Sequence, residues 1–251
     1  MKNKVAVITG AANGIGFAIA KKFLKDGIKN AILLDIEEEK GYKVAAKLNQ
    51  GYPDSKVKFI KCDITKNLNV VDEIIKLYSI DVLVNAAGKY IIADRKKVIE
   101  TNVTATIEWA YKFHDHMRTD RGGKGGTIIN LASIYGFRIN RYLPTYQASK
   151  FAVMGFTRSL GHIKNFENNG VKVIALCPGY TRTTTTENLK RDSKVNNILP
   201  MEFIDSMRGI VPQEADVVGD AAVEIYKNAD SGTAWVIEDG GPVKEILCNV
   251  I

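Results

Sequence analysis

The chain opens on a short apolar run that passes directly into a glycine-rich segment and then into a helical pattern. The run is Val5-Ala-Val-Ile8, which lacks polar alternation and is typical of a strand buried on both faces of a parallel sheet. Next comes Thr9-Gly-Ala-Ala-Asn-Gly-Ile-Gly16, and apolar residues then recur at helical spacing as far as Leu24. A strand, a tight turn and a helix in this order predict the beginning of an α/β sheet.

The glycines at 10, 14 and 16 have a second consequence. They permit a tight strand-to-helix turn, and they let backbone N–H groups approach a pyrophosphate at a helix N-terminus. A plain strand–turn–helix is the alternative interpretation of such a pattern. Its position directly after the first strand favours a dinucleotide site.

The next predicted strand, 31–34, ends in Asp35, nineteen residues beyond Gly16. A carboxylate there can accept both ribose hydroxyls of an adenosine and repels a 2′-phosphate. Positions 11 to 13 and 36 hold no arginine or lysine that could serve as a counter-charge to a 2′-phosphate. The pattern favours NAD over NADP. Asp35 can also cap the helix that follows, and both roles can coexist.

Further strands and helices alternate along the rest of the chain, and we find no repeat, low-complexity segment or second domain. We therefore expect one domain over residues 1–251, with a lid over the pocket at about 188–213, although a fixed surface helix is the alternative there. The remaining strands are predicted at 56–61, 80–84, 126–132, 171–176 and 234–237, and the helices at 70–78, 98–117, 146–166 and 215–228.

Composition narrows the class of protein. With 251 residues, 45% hydrophobic and 25% charged, the chain has ordinary globular values. The net charge of +7 comes from lysines spread over helical stretches, which argues against a nucleic-acid site. No apolar run approaches the roughly 20 residues of a membrane span, and we expect no signal peptide before the first strand. Cys62, Cys177 and Cys248 are scattered without metal-ligand spacing, so we expect no metal site and a reduced, cytoplasmic protein.

Tyr146 and Lys150 are the strongest catalytic candidates. Residues at i and i+4 project from the same face of a helix, so the ammonium can stabilise a phenolate and lower a phenol pKa from about 10. Such a phenol is usable as a general base. Ser133 follows an apolar run that is typical of a strand, so its hydroxyl is expected at the strand's carboxyl end, where α/β sheets bind ligands. The alternative is an aromatic on a core face with a solvated lysine.

Other polar residues follow predicted strands or interrupt helices. Asp63 could reach the adenine amino group, or it could only initiate a turn. Asn85 could pin the loop Asn85-Ala-Ala-Gly88, whose small residues leave room for a ring. Asn102 is either a surface residue or a residue whose side chain hydrogen-bonds to a neighbouring strand or to water. The hydroxyl run at Thr181 and 183–186 could meet the nicotinamide end.

Together, the glycine segment, Asp35, Asn85-Ala-Ala-Gly88, Asn102, Ser133, Tyr146 with Lys150, and Pro178-Gly179 resemble the short-chain dehydrogenase/reductase family from residue 4 to about 238. The chain is most similar to the branch of insect alcohol dehydrogenases and 15-hydroxyprostaglandin dehydrogenases. This likeness rests on the short connection between Gly88 and Asn102, on Gly122-Gly-Lys-Gly-Gly126, and on two C-terminal segments, 178–184 and 232–235. The loop has the sequence Asn-Ala-Ala-Gly instead of the commoner Asn-Asn-Ala-Gly, and the tail from Asp239 is not diagnostic.

The resemblance implies a single-domain Rossmann-type α/β fold with a doubly wound sheet of seven mostly parallel strands and helices on both faces. Tyr146 would take the alcohol proton as hydride leaves for nicotinamide. Lys150 would lower the tyrosine pKa and bind the nicotinamide ribose, Ser133 would hold the substrate oxygen, and Asn102 would anchor a relay water. The cofactor would be held by Gly10, Asn13, Gly14, Ile15, Gly16, Asp35, Ile36, Asp63, Ile64, Asn85, Ala86, Ala87, Gly88, Tyr146, Lys150, Pro178, Gly179, Thr181 and Thr183.

The leading hypothesis is thus an NAD-dependent dehydrogenase of a hydrophobic secondary or allylic alcohol, such as a terpenoid, lipid or prostanoid-like one, assembled as a homodimer or homotetramer. The substrate would contact Ser133, Tyr135, Tyr142, Tyr146 and Tyr180. Other candidate pocket residues are Tyr90, Ile134, Phe137, Leu143, Met201 and Met207. The alternatives are carbonyl reduction in the reverse direction and a non-catalytic dinucleotide-binding protein on the same fold.

Overall fold

A computed structural model describes residues 1–90, 94–184, 186–187, 202–203 and 210–247. Its strands, in chain order, are β1 (Val5–Thr9), β2 (Asn30–Asp35), β3 (Lys56–Lys61), β4 (Val82–Asn85), β5 (Gly126–Leu131), β6 (Val171–Pro178), β7 (Thr181–Arg182), β8 (Gln213–Glu214), β9 (Ala234–Ile237) and β10 (Lys244–Glu245). Eight of them form one sheet in the order β10-β9-β6-β5-β4-β1-β2-β3, while β7 and β8 pair separately.

The seven predicted strands run parallel, and the fold class expected from the sequence is confirmed. The chain leaves β1 toward β2 and β3 on one side and later returns to β4 on the other, so Val7 of β1 pairs with both Ile32 and Leu83. This reversal opens a crevice at the carboxyl ends of β1 and β4, where doubly wound sheets bind ligands. The tail adds the eighth strand, β10, which is antiparallel to β9.

Helices cover both faces of the sheet. They are α1 (Gly14–Lys25), α2 (Glu38–Gly51), α3 (Val70–Leu77), α4 (Arg95–Ile99), α5 (Thr106–Met117), α6 (Pro144–Leu160), α7 (Ile163–Asn169) and α8 (Ala215–Asn228), with a π-helical turn, Glu100–Ala105, joining α4 to α5. Apolar side chains of α1, α2 and α8 pack in one buried cluster, and those of α3, α5 and the C-terminal half of α6 in another.

The first strand shows why its sequence lacks alternation. Ala6 and Ile8 contribute to one cluster and Val7 to the other, and all three are fully buried. A strand between two helical layers has no solvent face, so a polar residue at any of these positions would be desolvated without a partner.

Several predicted boundaries differ from those of the structure, and two of the differences have a clear physical cause. The helix expected over 146–166 is divided into α6 and α7 at Gly161, where a Cβ would lie 2.6 Å from the Val173 carbonyl oxygen and 2.7 Å from the Gly232 nitrogen. The helix therefore ends where the backbone passes close to two other segments. The strand expected from 80 begins at Val82, because the Asp81 carboxylate accepts hydrogen bonds from the Val5 N–H and the Lys4 ammonium.

The lid expected over 188–213 lies mostly outside the described residues, as do Met201, Met207 and Cys248. In the parts of the chain that the structure describes, no helix is long and apolar enough to cross a membrane.

Candidate active site

The turn after β1 brings two loops together. Thr9 is buried at the end of β1, and its hydroxyl oxygen accepts hydrogen bonds from the N–H groups of Ala86 and Ala87, each at 3.1 Å. Gly10 has a φ of +65°, and a Cβ there would lie 2.7 Å from the Ala87 Cα. A glycine is therefore required on both conformational and steric grounds.

The start of α1 fits a dinucleotide. A Cβ on Gly16 would lie 2.2 Å from the Gly10 carbonyl oxygen, so the first turn of the helix packs directly on the turn after the strand. The predicted cradle residues Gly10, Asn13, Gly14, Ile15 and Gly16 all line a cavity of about 560 Å³. Because glycine backbone alone packs at the N-terminus of α1, the N–H groups of the first helical turn are available to an anion such as a pyrophosphate.

Asp35 lies at the next strand end, in the same cavity. One carboxylate oxygen accepts from the Ala12 N–H at 2.9 Å and the other from the Glu37 N–H at 3.0 Å. Glu37, and not Asp35, is the N-cap residue of α2. Each oxygen of Asp35 keeps a lone pair for a ribose hydroxyl. Lys40 also lines this end, but its ammonium is 2.7 Å from the Glu37 carboxylate.

Asp63 initiates a turn and lines the adenosine end of the cavity. Its carboxylate accepts hydrogen bonds from the Thr65 hydroxyl at 2.7 Å and from the Thr65 N–H at 3.0 Å, so it initiates a turn. Burial raises the pKa of Asp63, but the Thr65 hydrogen bonds and the charges of Lys97 and Lys66 together outweigh it, and the pKa lies below its usual value. Asp63 and Ile64 also line the cavity, beside the exposed Ile36.

Two asparagines predicted for the site lie behind it. The Asn85 amide donates to the Asn130 side chain at 2.9 Å and to the Thr106 carbonyl at 3.4 Å, so it ties β4 to β5 and α5. Asn102 lies in the π-helical turn, where its amide exchanges two hydrogen bonds with the Lys89 backbone, at 2.7 and 2.8 Å. Neither is among the residues that line the cavity, whereas Ala86, Ala87 and Gly88 are.

The remaining catalytic candidates converge. Ser133 follows β5, and its hydroxyl accepts the Tyr135 N–H at 3.2 Å while interacting with the Tyr146 phenol. The Lys150 ammonium lies 5.6 Å from the centre of the Tyr146 ring and donates to the Leu131 carbonyl at 2.8 Å. Ser133 and Lys150 are only 7% and 6% exposed. A hydroxyl, a phenol and an ammonium therefore share one enclosed end of the cavity.

Burial dominates the electrostatics of this end. It raises the pKa of the Tyr146 phenol above its ordinary value, and the Ser133 hydroxyl opposes this shift. It also lowers the pKa of Lys150 to about 8. The expected lowering of the phenol pKa is not found, because desolvation disfavours the phenolate and the ammonium is directed at the Leu131 carbonyl.

The segment that connects β6 to β7 also lines the cavity, through Pro178, Gly179, Thr181 and Thr183. The side chain of Gln213, from β8, holds this segment. Its amide donates to the Thr181 hydroxyl at 3.2 Å and the Ile237 carbonyl at 2.9 Å, and it accepts the Gly240 N–H at 3.3 Å. The hydrogen-bonding capacity of a buried amide is thus used to join β7, β9 and the tail.

Of the candidate substrate residues, Ser133, Tyr135, Tyr146 and Tyr180 line the cavity, together with Tyr90 and Ile134. Tyr142 is not among the lining residues; its ring packs 5.4 Å from that of Phe203, and its hydroxyl lies near Arg141 and Glu202. Phe137 packs in a core cluster beneath α6.

Sequence reasoning missed three residues that organise the site: Thr9, Ser149 and Gln213. The Ser149 hydroxyl accepts from the Asn102 amide at 3.0 Å and donates to the Tyr146 carbonyl at 2.6 Å, linking the π-helical turn to the catalytic helix. Thr9 directly precedes Gly10 and Ser149 directly precedes Lys150, so their position in the sequence could have indicated a role in the site. Gln213 lies in a polar stretch and carries no such signal.

Comparison with known proteins agrees with this geometry. The family model described as short chain dehydrogenase matches residues 4–194. Human 15-hydroxyprostaglandin dehydrogenase [NAD(+)] is 34% identical over 215 residues, which cover 84% of this chain and 80% of the human protein. Alcohol dehydrogenase 1 of Ceratitis cosyra is 29% identical over 242 residues, covering 94% of this chain and 92% of that protein.

Solved structures are similar over nearly the whole chain. A variant of the actinorhodin polyketide ketoreductase with NADPH has a TM-score of 0.79 and 26% identity, covering 96% of this chain and 98% of its own. A short-chain dehydrogenase from Sphingobium yanoikuyae in complex with NADPH has a TM-score of 0.75, covering 94% and 87% of the two chains, and at 24% identity it supports the fold alone.

Proposed function

The chain belongs to the short chain dehydrogenase family, and from that premise we propose that it is an NAD-dependent dehydrogenase that oxidises a hydrophobic secondary or allylic alcohol to the carbonyl. The observation that carries the proposal is a single cavity with Ser133, Tyr146 and Lys150 at one end and Asp35 at the other. The first set supplies proton chemistry, and the second selects the cofactor.

The choice of NAD rests on charge at the adenosine end. The Asp35 carboxylate would repel a 2′-phosphate, and the one lysine on α2 that lines this end, Lys40, is paired with Glu37. The named relatives that are 15-hydroxyprostaglandin dehydrogenases use NAD(+), while the ketoreductase structure contains NADPH. Bound NAD would supply the hydride acceptor, and Gly10 to Gly16, Asp35, Asp63, Ala86 to Gly88 and Thr183 are the residues that would hold it.

In the proposed mechanism Tyr146, as the phenolate, accepts the proton of the substrate hydroxyl, and Ser133 hydrogen-bonds the oxygen of that hydroxyl. Lys150 contributes a positive charge that favours the phenolate. Asn102 positions the loop that follows Gly88 through both hydrogen bonds to the Lys89 backbone. Because burial raises the pKa of Tyr146 and lowers that of Lys150 to about 8, the rate of oxidation is expected to increase with pH up to about pH 8, above which Lys150 loses its charge.

The apolar character of the substrate is inferred from the cluster around Tyr146, which contains Leu143 and Phe203 and the rings of Tyr90, Tyr135, Tyr142 and Tyr180. Such surroundings would stabilise a hydrocarbon skeleton through burial of apolar surface.

The test is NADH formation with NAD or NADP across aliphatic, terpenoid, retinoid and prostanoid alcohols, with Tyr146→Phe as the control. We expect turnover with NAD that falls by roughly 10²- to 10⁴-fold in the variant, because the phenol is the only proposed base. NAD binding without turnover of any alcohol would instead favour a non-catalytic dinucleotide-binding protein, and faster carbonyl reduction with NADPH would favour the reductase alternative.

We extend the proposal to a cytoplasmic homodimer or homotetramer. Tyr111 on α5 and Phe151 on α6 are large aromatic residues that remain 49% and 41% exposed, and association would bury them. Light scattering of the purified protein tests this, and a monomer at micromolar concentration would contradict it.

A further inference from the structure

Two tyrosines flank the ring of Tyr146 inside the cavity. The Tyr90 ring lies 4.7 Å from it, edge to face at 68°, and the Tyr135 ring lies 6.5 Å from it at 84°. Both side chains line the cavity that holds Ser133 and Lys150. The phenol of Tyr146, which would contact the reacting oxygen of the substrate, is therefore bordered by two further phenols.

The hydroxyls of these two tyrosines have no hydrogen-bond partner among the described residues, in contrast to that of Tyr142, which lies near Arg141 and Glu202. Both side chains are half-buried, and a phenol hydroxyl at the wall of a cavity is free to bond a molecule that enters it. Burial raises the pKa of Tyr90 well above its ordinary value, and the neighbouring phenols of Tyr146 and Tyr135 raise it further. Tyr90 is therefore a neutral phenol with a proton to donate at any physiological pH.

Resting on the proposed function, we propose that Tyr90 and Tyr135 bind a second oxygen function of the substrate, so that the preferred alcohols carry a hydroxyl or carbonyl oxygen close to the reacting carbinol. The carbinol oxygen is held by Ser133 and Tyr146, and the two flanking rings are within 7 Å of the Tyr146 ring. A second oxygen that reaches them is separated from the carbinol by only a few bonds.

Recognition of this kind discriminates more strongly than an apolar wall. A pocket that hydrogen-bonds a substrate oxygen leaves its own polar groups unpaired when the analogue lacks that oxygen, whereas a purely hydrophobic pocket distinguishes substrates weakly. The phenols also present apolar ring edges, which keeps the pocket compatible with a hydrocarbon skeleton.

The experiment compares cyclohexanol with its vicinal diol, using the full-length enzyme and NAD. The measured quantity is the ratio of kcat/KM for the diol to that for the mono-alcohol, in the wild-type protein, Tyr90→Phe and Tyr135→Phe. We expect wild type to prefer the diol and the ratio to fall about 10- to 100-fold in each variant. Tyr226→Phe is the matched control, since Tyr226 is a half-buried tyrosine on α8 that packs against Phe23 and is not among the residues lining the cavity.

A ratio that stays within about twofold of wild type in both cavity variants, while the enzyme still oxidises alcohols, would overturn this inference and leave the proposed function intact. The inference is also overturned if Tyr226→Phe lowers the ratio as much as the cavity variants do. If the wild-type protein oxidised neither these nor any other alcohol with NAD, the proposed function and this inference would fall together.

Discussion

The two ends of the cavity are built in different ways. At the adenosine end, Asp35 and Asp63 remain partly exposed and are held by backbone N–H groups, and Ile36 beside them is 53% exposed. At the catalytic end, Ser133 and Lys150 are buried, and burial shifts the pKa values of Tyr146 and Lys150 in opposite directions. Recognition of a ribose needs a charge at the right strand end, whereas proton transfer needs groups removed from water.

Replacing Lys150 by methionine is the sharpest test of the catalytic end. We expect kcat for alcohol oxidation to fall by about 10³-fold, because the phenolate loses its positive neighbour. Lys172→Met is the matched control. Its ammonium also donates to backbone carbonyls, those of Tyr226 and Ala229, and burial also lowers the pKa of Lys172, but the side chain is not among those lining the cavity. Similar losses in both variants would contradict the catalytic role.

The same substitution has an opposite effect on stability. The pKa of Lys150 is lowered from 10.5 to about 8, so the buried charge disfavours folding by up to about 3 kcal/mol below pH 8. Loss of the hydrogen bond to Leu131 costs about 1–3 kcal/mol, leaving a net gain of at most about 2 kcal/mol.

The lowered pKa of Lys150 also determines how the free energy of unfolding depends on pH. The unfolded lysine binds a proton below its ordinary pKa while the folded one does so only below about 8, so wild-type stability rises between these pH values. The advantage of Lys150→Met should be greatest near pH 7 and disappear by about pH 10. Thermal unfolding of both proteins across this range measures it, and an advantage that grows with pH would contradict the assignment.

At the adenosine end, Asp35→Asn removes the charge and preserves the shape. We expect the preference for NAD over NADP to fall about 10- to 100-fold, because the repulsion of a 2′-phosphate disappears while one backbone N–H loses its acceptor. The ratio of kcat/KM values for the two cofactors measures this. Glu38→Gln, at a carboxylate paired with Lys61 nearby, is the charge-matched control and should leave the ratio unchanged.

The smallest effect on activity is expected at Gln213, whose side chain holds a segment of the cavity wall and does not line the cavity itself. Gln213→Met should raise KM for NAD about 5- to 10-fold by loosening Thr181, while binding of ADP-ribose, which lacks nicotinamide, changes less than about twofold. Asn49→Leu removes a similar set of hydrogen bonds, to Ala45 and Val57, between α2 and β3. An equal change in KM in both variants would reduce Gln213 to a purely structural residue.

The sequence predicted the adenosine end well because its requirements are local. A buried strand, a glycine turn and a carboxylate at the next strand end follow from composition and spacing within 35 residues, and the structure places the glycines and the carboxylate along one cavity. The glycines could be identified because residues with a Cβ rarely adopt a positive φ such as that of Gly10, and because the contact at Gly16 leaves no room for a Cβ.

At the catalytic end the sequence predicted which residues come together but not their state. The i,i+4 spacing of Tyr146 and Lys150 indicated their shared face, yet the direction of the phenol pKa depends on desolvation by residues far away along the chain, such as Tyr90. In the same way, Asn102 in the π-helical turn hydrogen-bonds to Ser149, which is 47 residues away along the chain. The role of Gln213 depends on Ile237, which is 24 residues away.

The amino-acid sequence by itself determined the family, the parallel sheet and the identity of the groups at both ends of the cavity, because periodicity and backbone sterics act between near neighbours. The tertiary structure alone decided which polar groups are desolvated, which asparagines face inward and which phenols border the reacting oxygen. Burial is a property of the packed molecule, since it depends on contacts between segments whose separation no local pattern records.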